Sequence, residues 1–150
     1  MDLSYQEKSI LGSLVAIVVV YGYYFATTLR HFGQASTESA SLGRLVLAIV
    51  AIIVIETVYH IVLALESKPQ PKDERDILIA SKAYRNAYFF LYVGMALVMM
   101  CAFGLEALHA ATSMRITVTP YLILNFVLLL MIAGEVVKFV TQLFYYRRGL

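Results

Sequence analysis

The chain has 150 residues, 61% of them hydrophobic and 15% charged, with a formal net charge of +2 and one cysteine. A soluble domain of this size does not carry so apolar a composition. One thiol excludes an intrachain disulfide and any CxxC redox or zinc site.

Four runs exceed the roughly 18 mostly apolar residues that cross a bilayer core of about 30 Å. They cover residues 10–32, 45–66, 83–106 and 121–146. Ahead of the first, Ser4-Tyr-Gln-Glu7 has capping-box spacing, so a helix is expected to start near Tyr5. This run is longer than the apolar region of a signal peptide and ends in Tyr21, Tyr23 and Tyr24. It is therefore expected to stay in the membrane. Residues 33–43 are small and polar, and Ser41 is the expected N-cap of the second helix.

The second run carries Glu56, Tyr59 and His60. Pro69 and Pro71 then forbid helix, and Asp73-Glu-Arg-Asp76 opens the third with acids at the positive end of its dipole. Cys101 lies inside that span and reads as a small apolar residue. Thr119-Pro120 caps and starts the fourth helix, and Gly149 stands just past its end.

The expected fold is all-α: a polytopic four-helix membrane bundle of two hairpins, forming one transmembrane domain. The stretch Gln6-Glu7-Lys8-Ser-Ile10-Leu11 parallels Asp73-Glu74-Arg75-Asp-Ile77-Leu78, and Glu56 parallels Glu135. These matches suggest a parallel repeat about an axis along the membrane normal. Gly22/Ala26 and Ala83/Ala87 have the spacing that lets helices approach in lipid. Nine of the twelve Lys and Arg residues fall on the side of the termini and the middle loop, against Arg30, Arg44 and Arg115. Positive residues gather in the cytoplasm, so both termini are expected inside.

An acid at membrane depth costs roughly 2.5–3.5 kcal/mol on insertion scales. Glu56 and Glu135 therefore each need a partner, a proton or a water-filled cavity. Glu56 and His60 share a helix face. Asn125, Leu128, Ile132, Glu135, Phe139 and Gln142 form another stripe, with Lys138 beside Glu135. Lys82, Arg85 and Asn86 enter from the inner side. The expected polar cluster is Glu56, His60, Arg85, Asn125, Glu135 and Lys138. Two explanations are open. One is compensated structural pairing, Glu135 with Lys138 or Arg85, and Glu56 with Arg85, Lys82 or a Tyr hydroxyl. The other is a proton-responsive site, in which desolvation favours the neutral acid, a cation favours the carboxylate, and His60 relays protons.

His31 and His109 close two spans on the same side, where a bis-His haem is imaginable, but no further ligand motif accompanies them. No cofactor and no metal site are expected. The tyrosines near the inner ends read as interfacial anchors, and the terminal basic residues as contacts to anionic lipid heads.

Asp73-Glu-Arg-Asp-Ile77-Leu-Ile-Ala-Ser-Lys82-Ala-Tyr-Arg85-Asn-Ala-Tyr88, followed by an apolar span, resembles a family of small, uncharacterised four-span prokaryotic membrane proteins. Tyr146-Arg147-Arg148-Gly149 is similar to the close of its members. The resemblance implies fold and origin, a multi-pass protein of a prokaryotic inner membrane, and no activity. In length and span count the chain also resembles small proton-coupled exporters of lipophilic cations. Their site usually includes a Trp, and this chain has none.

The expected function is that of a small, non-enzymatic integral membrane protein, a proton-linked transporter-like module. The alternatives are a membrane-embedded structural or accessory subunit and a haem-binding electron-transfer bundle. The bilayer is the expected partner, a homo-oligomer or larger membrane complex is compatible, and nucleic acid is not expected.

Overall fold

The structure is a computed structural model that describes residues 4–30, 38–67, 71–111 and 120–148. These residues form four helices, α1 (Tyr5–Arg30), α2 (Glu38–Glu66), α3 (Glu74–Ala111) and α4 (Pro120–Arg148). Each contains a stretch long and apolar enough to cross a membrane: Tyr5–Thr28, Leu42–Glu66, Glu74–Leu105 and Tyr121–Arg148. The protein is an all-α, multi-pass four-helix bundle.

The helix starts follow local chemistry. Ser4 and Glu7 form the expected capping box: the Glu7 amide donates to Ser4 Oγ at 3.2 Å and the Ser4 amide to Glu7 Oε2 at 2.9 Å. At α3 two aspartates do the same work. The Asp76 amide donates to Asp73 Oδ1 at 2.7 Å and the Asp73 amide to Asp76 Oδ2 at 3.2 Å. That reciprocal cap starts α3 well before the apolar run, and its 38 residues reach about 57 Å, beyond the hydrocarbon core. Pro120 opens α4 at a position where its missing N–H is harmless. Ser41 does not cap α2, because the helix already begins at Glu38.

The packing order is α2–α1–α4–α3. The α3–α4 seam is the most extensive, and α1 packs on both α2 and α4. The outer helices α2 and α3 share no comparable interface. A two-fold axis along the membrane normal would pair α2 with α3 as it pairs α1 with α4. The proposed repeat thus does not extend to the packing.

Without a hydrophobic drive between helices in lipid, close approach depends on small residues. On α3, Ala83 and Ala87 are buried as their spacing suggested, together with Ile79. Further along the same seam, a Cβ added at Gly134 of α4 would sit 2.8 Å from Leu91 Cγ, and Gly94 of α3 lies against Leu130. Gly12 of α1 lies under the Tyr59 ring of α2. Gly22 and Ala26 are exposed, and nothing lies within 4 Å of a Cβ at Gly22. Their spacing matched an interface, but no helix covers that face. Most large apolar side chains point outwards, among them Val19, Leu47, Ile53, Phe89 and Met100. That is the arrangement expected when lipid is the solvent.

Candidate functional site: polar groups in the bundle

The residues expected to form one cluster fall into separate groups, because α1 stands between α2 and the α3–α4 pair. Glu56 and His60 lie one turn apart on α2 and meet Ser13 of α1. Ser13 Oγ donates to Glu56 Oε2 at 2.8 Å, and His60 Nε2 lies 3.1 Å from the same oxygen and 3.3 Å from Ser13 Oγ. Ser13 is 6% exposed, while the His60 side chain is 42% exposed. The second carboxylate oxygen, Glu56 Oε1, is buried and has no hydrogen-bond partner among the described residues. Tyr59 packs edge-on against His60 and donates its hydroxyl to the Lys8 carbonyl at 2.6 Å. Together with the Gly12 contact, this fixes the register of α1 against α2.

The carboxylate partner is therefore a hydroxyl from α1, and not Arg85, Lys82 or a tyrosine. Ser13 was not among the expected site residues. Its signal is a serine early in the first apolar run, at a place no cap or turn requires. The three groups do not form a nucleophile–imidazole–acid relay, since Ser13 and His60 Nε2 both point at the same carboxylate oxygen.

Asn125 belongs to a second group, in the other half of the α1–α4 seam. Tyr24, 2% exposed, donates its hydroxyl to Asn125 Oδ1 at 2.8 Å, and Asn125 Nδ2 donates to the Tyr121 carbonyl at 2.9 Å. The Thr28 and Tyr121 hydroxyls are buried without hydrogen-bond partners among the described residues.

Glu135 and Lys138 form a third group, an ion pair within α4. Of the two cations expected beside Glu135, Lys138 is the one it meets. Lys138 also stands over the Phe139 ring at 4.4 Å and the Tyr84 ring at 5.4 Å. Its side chain is 13% exposed, against 49% for Glu135. Arg85 is exposed and pairs with neither acid. Lys82 turns to the Tyr145 ring at 5.1 Å. Both cations leave the bundle centre because α3 presents its alanine face to α4, which puts Arg85 on the outside.

Ser13 and Glu135 lie on the same side of the Tyr24–Asn125 bond, each about 15 Å from it along its helix. The Glu56 and Glu135 groups thus share a level in the membrane without touching the same partners. Since α2 and α3 stay apart, an opening of about 370 Å³ remains between the four helices. It is lined by Ile17, Tyr21, Ile52, Leu91 and Met131, with Glu135 its one charged wall.

His31 lies outside the described residues, as does the side chain of His109. Among the described residues no group of three His, Cys, Asp or Glu could hold a metal ion. Comparison with protein-family models, curated proteins and solved structures returns no match.

Proposed function

We propose that this multi-pass membrane protein is a proton-linked, transporter-like module whose responsive element is Ser13–Glu56–His60. One observation carries the reading: a carboxylate oxygen and an imidazole nitrogen stand 3.1 Å apart while the second carboxylate oxygen is buried and, among the described residues, unpartnered. Two lone pairs facing each other at that distance would repel, so one proton lies between Glu56 and His60. Ser13 keeps its own proton and donates it to Oε2. A second proton on Oε1 would discharge a buried carboxylate oxygen that nothing else satisfies. Protonating this carboxylate would alter the pairing of α1 with α2 through Ser13. The opening beside Glu135 gives a neighbouring space that such a change could widen or close.

The setting that fits is a prokaryotic inner membrane, with Lys8, Lys72 and Arg148 on the cytoplasmic side. The second reading is a membrane-embedded accessory subunit without transport. The Glu135–Lys138 pair favours it, because that acid is compensated within its own helix.

Glu56→Gln separates the two. Gln mimics the neutral acid, so a proton-linked module should fold and extract normally but lose pH-dependent proton flux in liposomes between about pH 5 and 8. A variant that melts lower at every pH, with no change in flux, would leave a paired scaffold.

A further inference from the structure

Two apolar cavities run along the outer seam of α1 and α2 and meet at Val19 and Val20, which line both. The larger, about 500 Å³, is walled by Gly12, Ala16 and Ile55 and ends at Lys8 and Tyr59. The smaller, about 270 Å³, is walled by Ala48 and Ala51 and ends beside Arg44. Between Lys8 and Thr27, α1 advances about 28 Å, close to the ~30 Å of a hydrocarbon core. The seam therefore crosses the apolar layer with one cation at each end.

We propose that this seam is a phospholipid site, taking an acyl chain from each leaflet and an anionic headgroup on Lys8 and on Arg44. Small residues on both helices leave a channel where larger side chains would interlock. The Tyr59 ring over Gly12 holds the two helices at that separation at the Lys8 end. The walls offer an occupant almost no hydrogen-bonding groups, which selects hydrocarbon. The ends select negative charge: neither Lys8 nor Arg44 is ion-paired to an acid among the described residues. A basic side chain near the surface contributes about 1 kcal/mol toward anionic lipid. A neutral apolar helix would match the walls and leave both cations unanswered.

The test is native mass spectrometry of the full chain released from bilayers of equal neutral phosphatidylcholine and anionic phosphatidylglycerol. The wild type should retain phosphatidylglycerol preferentially. Lys8→Gln and Arg44→Gln should each lower that retention about fivefold, the equivalent of one basic contact. Lys72→Gln, away from the seam, should leave it unchanged. Ala16→Phe should expel the lipid at the Lys8 end, with helicity by circular dichroism checking its fold. If Ala16→Phe does not fold, the two charge variants still decide. Equal retention of the two lipids, retention indifferent to both charge variants, or a second copy of the chain seated on the seam would overturn the proposal.

Discussion

Tyr24 and Asn125, 101 positions apart, are joined by a 2.8 Å hydrogen bond at the α1–α4 seam, and both are more than nine-tenths buried. In lipid, neither group has water to turn to when the other is removed. Tyr24→Phe should cost about 1–2 kcal/mol, since it orphans the Asn125 carbonyl oxygen. Asn125→Leu should cost a similar amount by orphaning the tyrosine hydroxyl. The double variant should recover part of the loss, and unfolding in detergent by denaturant titration measures the coupling. Strictly additive losses would mean that the two groups do not act on each other.

The glycines make a second, directional prediction. Gly134→Ala brings a methyl to within 2.8 Å of Leu91 Cγ and should cost about 1–3 kcal/mol through overpacking. Gly22→Ala meets open space, and should be neutral or stabilising by up to about 1 kcal/mol through helix propensity. Melting temperatures of the two variants should move in opposite directions, or only that of Gly134→Ala should move.

Tyr146 donates its hydroxyl to Asp76 Oδ1 at 2.6 Å, tying the last turn of α4 to the cap of α3. Removing that bond with Tyr146→Phe should cost about 1 kcal/mol. Asp76→Ala should cost more, because it also frees the Asp73 amide and removes an acid from the first turn, together about another 0.5–1 kcal/mol, although Asp73 Oδ1 still caps the helix. Hydrogen exchange should show fraying of residues 74–78 in Asp76→Ala and much less of it in Tyr146→Phe.

Glu135→Gln tests whether the α4 ion pair holds the bundle together. Glu135 is half exposed, and Lys138 keeps the Phe139 and Tyr84 rings when the carboxylate is lost. Inside the α4 span that exposure is to lipid or to the opening, so if lipid surrounds the pair the loss should reach about 3–5 kcal/mol. A loss at or below about 1 kcal/mol would instead place the pair in water, in the opening beside Glu135.

The orientation is tested by cysteine labelling after replacing Cys101, which is exposed on α3. A cysteine at Lys72 should react only with reagent admitted to the cytoplasmic side. One at Gln34 should react only from the opposite side.

Much of the candidate site was legible in outline. The cost of burying an acid marked Glu56 and Glu135, and helical spacing linked each to the neighbour it uses, His60 and Lys138. Spacing along one helix says nothing about what the next helix presents. Ser13 and Tyr24 therefore carry no mark in the sequence as partners, and nothing in the spacing shows that the Arg85 side of α3 faces out. Similarly, Ala83/Ala87 and Gly22/Ala26 carry the same pattern, but only the first pair found a neighbouring helix.

What the sequence by itself determined is the number of spans, their helical character and the caps that open α1 and α3. Each is a local consequence: apolar length against bilayer thickness, or a side chain satisfying the amides next to it. Only the tertiary structure decided the row α2–α1–α4–α3, the separation of Glu56 from Glu135 and the opening left between α2 and α3. Those depend on which faces of apolar helices pack together. In lipid that choice is made by close fit and a few hydrogen bonds between distant residues, because one apolar face is as well solvated as another.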